Sequence, residues 1–201
     1  MAKNQYTESL NNLVEQFRHL PGIGPRTAER LAYHVLKQPA AEALALAEAI
    51  AAVKTKIRHC ERCFNLSEEP LCRICQDARR DQGIICVVEQ VNDLISLEET
   101  GLCQWVYHVL QGRVAPLEGI TPEDLTIPQL VKRVEAGGVR ELVMATNPNL
   151  DGDGTALYIS SLLAGRDVKI TRLARGLPSG GSIEYASKGI LADAITGRVP
   201  L

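Results

Sequence analysis

Apolar residues recur along this chain first at helical spacing and then at strand spacing. Leu10, Leu13, Val14 and Phe17 fall at i, i+3, i+4 and i+7, which predicts an amphipathic helix over residues 8–20. Leu20-Pro21-Gly22-Ile23-Gly24-Pro25 follows, and its paired glycines and prolines stop that helix in a tight turn. Pro25 suits the first turn of a second helix, where its missing N–H costs nothing. That helix is predicted to run to about Lys37, with Ala28, Leu31, Ala32 and Val35 inward and Pro39 ending it. A third, alanine-rich helix is predicted from about Ala40 to Ile57. Residues 58–80 hold four cysteines, many charges and few large apolar side chains. From residue 83 the pattern alternates: buried strands at 84–88, 106–110, 142–145 and 168–173, with helices at 91–100, from Thr121, at 128–136 and at 153–164. This β-α-β-α order predicts an α/β domain with a mainly parallel sheet covered on both faces. A Gly/Pro loop at 176–181 and a helix at about 184–195 close the chain. The expected organisation is therefore 1–57 helical, 58–80 cysteine-bearing, 81–174 sheet domain and 175–201 C-terminal segment.

Composition narrows the class. With 45% hydrophobic and 23% charged residues the chain is ordinary globular material, and at 4% aromatics it offers no obvious platform for stacking single-stranded bases. The start, Met1-Ala2-Lys3-Asn4-Gln5, has no apolar stretch behind a basic residue, so no signal peptide is expected. The most apolar stretch, residues 40–53, carries Glu42 and Glu48 and is too short to span a bilayer, so a soluble cytoplasmic protein is expected. The net charge of −2 hides an asymmetry: residues 1–80 hold 12 Lys+Arg against 9 Asp+Glu, and residues 81–201 hold 10 against 15. Such a split fits a polyanion at the front and a metal or basic partner at the back, although shifts of this size also arise by scatter.

Cys60-x-x-Cys63 and Cys72-x-x-Cys75 are two identical hooks eight residues apart. A two-residue gap lets both sulfurs of a hook face one point, and four thiolates suit tetrahedral zinc. The segment between the hooks is too short and polar to build a core, so metal binding is what holds it. Disulfides are disfavoured by a cytosolic location, nothing requires two redox hooks, and an iron–sulfur cluster is the weaker alternative. Four cysteines fill the coordination shell and leave no open position for catalysis. Cys86 and Cys103 sit in apolar runs and read as core.

The pattern helix, Gly22-Ile23-Gly24, helix is that of a helix-hairpin-helix. Glycines let the backbone approach a phosphate, and the second helix presents its free N–H groups there. Arg26 and Arg30, four apart on one face, can clasp neighbouring phosphates by contacts blind to sequence and sensitive to salt. The plain alternative is an αα-hairpin whose Gly-Pro turn only reverses the chain. Farther on, Glu89 follows the first buried strand and Asp151-Gly152-Asp153 lies beyond another. Ligands of parallel sheets gather at the carboxyl ends of strands, which predicts Glu89, Asp151 and Asp153 in one crevice able to take Mg²⁺. Glu followed by Asp-x-Asp at this placement is the Toprim signature. A polar Asp-Gly loop capping the helix at 153–164 would produce the same Asp-x-Asp, and the residues do not choose between the two. No G-x-x-x-x-G-K-[ST] loop occurs, so the chain is not expected to be an ATPase.

Helix-hairpin-helix, four-cysteine zinc module and Toprim domain, in that order, resemble the RecR family of bacterial recombination mediators. The likeness covers essentially the whole chain, including Tyr107-His108-Val109-Leu110-Gln111-Gly112, Pro116-Leu117-Glu118-Gly119-Ile120, Ala145-Thr146-Asn147-Pro148 and Thr171-Arg172-Leu173-Ala174-Arg175-Gly176. The resemblance implies a non-enzymatic protein that assembles into rings, typically tetramers that hold DNA, exchanging N- and C-terminal segments between subunits. It implies action with RecO, and separately RecF, in loading RecA onto gapped DNA coated by single-strand-binding protein. By position, Gly22, Gly24, Arg26 and Arg30 fall in the DNA-contacting hairpin, the four cysteines are the zinc ligands, and Glu89 and Asp151 match acidic positions that dock RecO. One departure stands out. Family members often carry a Val-Glu-Gly-Glu-like stretch where this chain has Leu150-Asp151-Gly152-Asp153, closer to the metal-binding pattern of topoisomerases and primases. The alternative reading is thus a Mg²⁺-dependent Toprim nuclease, disfavoured because no lysine, histidine or tyrosine motif accompanies the carboxylates.

Overall fold

A computed structural model describes residues Tyr6–Val199; Met1–Gln5, on which the expected absence of a signal peptide rests, and Pro200–Leu201 lie outside the described residues. The chain divides into two compact units at Ile57.

The first unit is helical. Helix α1 (Glu8–Arg18) packs on α2 (Pro25–Lys37), and Pro25 is the first residue of α2 as its φ preference requires. Their shared core is small: Val14, Ala28 and Ala32 are buried, with Leu10, Leu13, Phe17 and Ile23 packed against them. Alanine at 28 and 32 lets the helices approach closely. Helix α3 (Ala40–Lys56) buries none of its residues within the chain, leaving Leu44, Ile50 and Val53 more than half exposed.

The second unit opens with a hairpin of β1 (Arg58–His59) and β2 (Leu66–Ser67), then one short helix, α4 (Arg73–Gln76). The sheet follows: β3 (Asp81–Val88), α5 (Val91–Glu99), β4 (Trp105–Val109), α6 (Ile127–Glu135), β5 (Glu141–Met144), α7 (Leu150–Leu162) and β6 (Lys169–Arg172). Its four strands are all parallel, in the order β4-β3-β5-β6. Ile85, Val87, Val106, Leu142 and Met144 pack against Leu130, Val134 and Ile159 of α6 and α7 on one face. Cys86, Val88, Tyr107, Val109 and Val143 face the other way, where α5 supplies Leu94 and the cysteine module supplies Phe64 and Ile74. Helix α8 (Lys188–Thr196) ends the described chain. No helix among the described residues is long and apolar enough to cross a membrane.

Three elements differ from the sequence expectation; the helix expected from about residue 184 begins at Lys188, after a 3-10 turn over Ile183–Tyr185. The helix expected from Thr121 is a single 3-10 turn over Pro122–Asp124, closed by a Thr121–Asp124 capping box. Leu125 breaks it by turning extended and entering the core, where it is 5% exposed. Helix α7 starts earlier than residue 153, because Asn149 is its cap: the Asn149 side chain accepts from the Gly152 N–H at 2.8 Å.

Candidate nucleic-acid interface, metal centre and acidic crevice

In the first unit, the chain leaves α1 through Gly22, whose φ of +79° is a left-handed value that a side chain would strain, and enters α2 through Gly24 as cap. A Cβ at either glycine would meet nothing within 4 Å, so no protein group fills the space beside the turn. The Arg26 and Arg30 side chains are exposed and form no ion pair or hydrogen bond among the described residues. This places two unpaired guanidinium groups and the free amides of the first turn of α2 on open surface, the arrangement that a phosphate backbone requires.

The four cysteines come together in the second unit. All four are buried, and their sulfurs lie within 4.8 Å of one another. Zn–S bonds of about 2.3 Å put tetrahedral ligands about 3.8 Å apart, so this cluster fits zinc with little adjustment. The local fold explains why. Phe64, at a φ of 63°, turns the chain back after the first hook, and its amide bonds the Cys60 carbonyl at 3.0 Å. The Cys72 amide points at the Cys60 sulfur, at 3.3 Å, and donates to it. The Cys63 sulfur stands 3.5 Å from that of Cys72; this contact, a second with Cys75, and burial hold the Cys63 thiol far above the ordinary range. Four metal-free cysteines so placed would crowd one another, whereas a dication turns the same placement into four bonds.

The module also finishes the sheet. The Val109 amide of edge strand β4 donates to the Cys63 carbonyl at 2.8 Å. Gln111, at the end of that strand, bonds the Phe64 carbonyl at 2.6 Å, and the Phe64 ring stands edge-on to His108 with centroids 5.3 Å apart. An edge that would otherwise expose unpaired groups is closed by the metal module.

The acidic residues require a correction. They lie at the carboxyl ends of the strands, but the crevice of 320 Å³ there is lined in part by Asp93, Thr146, Asn147, Arg172 and Arg175 and by none of the three. They do not converge on one point: among the described residues only the cysteines form a group with metal-ligand spacing. Glu89 is buried and accepts from the Asn147 amide at 2.7 Å and from Asn147 Nδ2 at 2.8 Å. Asp151 pairs with Arg113 at 3.0 Å, and Arg113 also reaches Glu118 at 2.8 Å. Asp153 pairs with Arg175 and, at 2.6 Å, with Arg172. The Arg175 bond, with that of Arg172, outweighs burial and holds the Asp153 carboxyl below its ordinary value. Three arginines, Arg113, Arg172 and Arg175, thus neutralise Asp151 and Asp153, the charge that a Mg²⁺ ion in the expected crevice would have to meet. Arg172 ends β6 beside Met144 of β5, and the parallel register is what brings it to Asp153.

Gly152 explains how closely these parts sit. A Cβ there would lie 2.1 Å from the Asn147 carbonyl oxygen and 2.8 Å from Glu89 Oε1. Only a glycine lets the first turn of α7 approach the end of β5 this far. The Asp-x-Asp thus lies inside the helix's first turn rather than in a loop before it.

Comparison with known proteins matches the same three parts. Residues 10–54 match the RecR helix-hairpin-helix model, residues 57–77 the four-cysteine zinc finger domain of RecR and residues 83–174 the Toprim domain. Recombination protein RecR of Rhodopirellula baltica is 55% identical over 94% of this chain and 96% of its own length. The chain belongs to the RecR family. Recombination protein RecR of Rubrobacter xylanophilus is 49% identical over 96% of the chain and 97% of its own length, and that of Leifsonia xyli 46% identical over 96% and 98%. The RecR family's zinc finger accounts for the buried four-cysteine cluster and supports zinc binding there.

Proposed function

We propose that this chain is a non-enzymatic, DNA-binding mediator of recombinational repair. The observation that carries the reading is the hairpin: Gly22, Gly24, Arg26 and Arg30 present unpaired positive charge and free amides on open surface. Residues 1–57 grip DNA, residues 58–80 hold zinc through Cys60, Cys63, Cys72 and Cys75, residues 81–174 form the Toprim body, and residues 175–201 exchange between subunits. Ring assembly, as a homotetramer around DNA, is supported by the apolar faces left uncovered: α3 in the first unit, and Ile183, Tyr185 and Ile195 at the carboxyl end. Within the cytoplasm, at the nucleoid, the ring acts with RecO, and in a separate complex with RecF, to load RecA onto gapped DNA coated by single-strand-binding protein. Asp151, partly exposed, and Glu89, buried and bound to Asn147, mark the region that receives RecO. The nuclease alternative, and Mg²⁺ in the crevice, are disfavoured by the arginine pairing of Asp151 and Asp153.

A reconstituted loading assay tests this reading: RecA filament formation on gapped DNA coated by single-strand-binding protein, with RecO present. The native chain should accelerate loading, and Arg26→Ala/Arg30→Ala should abolish the acceleration. Cleavage of the DNA in Mg²⁺, lost in Asp151→Asn, would instead establish the nuclease.

A further inference from the structure

A zinc ion held by four thiolates carries a formal charge of −2, and burying such a centre requires compensating positive charge nearby. Two arginines are placed to supply it. Arg133 of α6 donates from Nη1 to the Tyr107 carbonyl of β4 at 2.7 Å, two residues along the strand from the amide that bonds Cys63. Arg62, inside the first hook, reaches the Cys75 carbonyl at 3.4 Å. Both line a cavity of 350 Å³ between the module and α6, whose other walls are Glu61, Phe64, Leu71 and Gln129. Arg133 is half-buried, no carboxylate lies within ion-pair distance of it among the described residues, and Glu61 across the cavity is exposed. Loss of water around it pulls the Arg133 guanidinium below its ordinary value, and the sulfurs of Cys75 and Cys63 oppose that pull.

We propose that Arg133 and Arg62 are the counter-ions of the four-cysteine zinc centre, so that a helix of the Toprim domain helps set how firmly the zinc module holds its metal. A half-buried guanidinium without a carboxylate loses part of its hydration, and the metal centre is the anion that compensates it. The arrangement ties module to sheet through charge as well as through the Cys63–Val109 hydrogen bond.

The inference rests on zinc occupying the four cysteines, so the zinc content of the native full-length protein is measured first; absence of zinc there would sink that reading and not this one alone. Competition with a chelator then compares native protein with Arg133→Gln, Arg133→Lys and Gln129→Ala, the last a neutral change in the same cavity. Arg133→Gln should weaken zinc binding about 10- to 100-fold, the range for partners just outside a metal's ligands. Arg133→Lys should stay close to native, and Gln129→Ala unchanged. With Co²⁺ in place of zinc, the sulfur-to-cobalt charge-transfer band should move to lower energy in Arg133→Gln and return in Arg133→Lys, because removing positive charge makes the thiolates better electron donors. Unchanged affinity and an unchanged band in Arg133→Gln overturn the proposal. Should that variant not fold, Arg62→Gln, at an exposed position, carries the same test with the same two outcomes.

Discussion

Gly152→Ala should destabilise the sheet domain severely, while Gly154→Ala, two residues on in the same helix, should stabilise it. At Gly152 the new methyl group would lie 2.1 Å from the Asn147 carbonyl oxygen, against 3.4 Å for the start of ordinary contact, so the backbone must open by about 1.3 Å. No rotamer change relieves a clash with main chain. Opening it pulls on the Thr146 Oγ1 bond to the Gly152 carbonyl (2.8 Å) and displaces Glu89, which holds Asn147 by two hydrogen bonds. Overpacking costs about 1–3 kcal/mol and sometimes more, and a backbone clash belongs at the top of that range, about 3 kcal/mol. For a unit of this size each kcal/mol shifts the melting temperature by roughly 2–4 °C, giving a fall of about 6–12 °C. At Gly154 a Cβ meets nothing within 4 Å, so the only effect is the better helix propensity of alanine, about 0.5–1 kcal/mol or a rise of about 1–4 °C. The single tryptophan, Trp105, lies on β4, so its fluorescence during a thermal ramp reports on this unit. A Gly152→Ala melt within about 2 °C of native, less than one kcal/mol is expected to produce, or the same sign for both variants, would refute the close approach of α7 to β5.

Three further outcomes follow from the same contacts. Cys72→Ser should lose zinc and leave β4 without its cover, giving an aggregated or unfolded protein, since structural zinc supplies on the order of 10 kcal/mol against a typical domain stability of about 5–15; soluble, cooperatively melting protein without metal would count against this. Burial pushes the His108 imidazole down from 6.5 to about 4, so its contribution to stability is full above pH 6.5 and is lost as pH falls toward 4. Urea unfolding should therefore show native protein losing on the order of 2 kcal/mol more than His108→Gln between about pH 7.5 and 5; parallel losses would place His108 in water. Asp151→Lys should spare DNA binding but weaken capture of RecO in a pull-down, and undiminished capture would remove this face as the docking surface.

Much of this architecture was legible in residue order. Pro25 and Pro39 bracket α2, and the C-x-x-C spacing identifies the metal cluster before any geometry is known. The parallel sheet followed from the alternation of apolar runs with helical patterns, whereas its strand order, β4-β3-β5-β6, did not. What escaped was pairing at a distance. Arg113, Arg172 and Arg175 reach Asp151 and Asp153 across 38, 19 and 22 residues, and for Arg172 it is the parallel register of β5 and β6 that does so. Arg-x-x-Arg at the end of the last strand was the available signal. The start of α7 was hidden because glycines at 152 and 154 resemble a loop, whereas Asn149 is the cap and Gly152 is required by close packing. The helix expected at Thr121 had a correct cap, but burial of Leu125 overrode local propensity.

In the proposed function, Arg26 and Arg30 grip a phosphate backbone. Fluorescence anisotropy with labelled single-stranded, duplex and gapped DNA, repeated from about 25 to 200 mM salt, reads it directly. The native protein should bind with affinity that falls steeply with salt, and Arg26→Ala/Arg30→Ala should bind more weakly with a log–log slope lower by roughly 1.4–1.8, at about 0.7–0.9 for each lost contact. Equal affinity and equal slope for the two proteins would contradict the account.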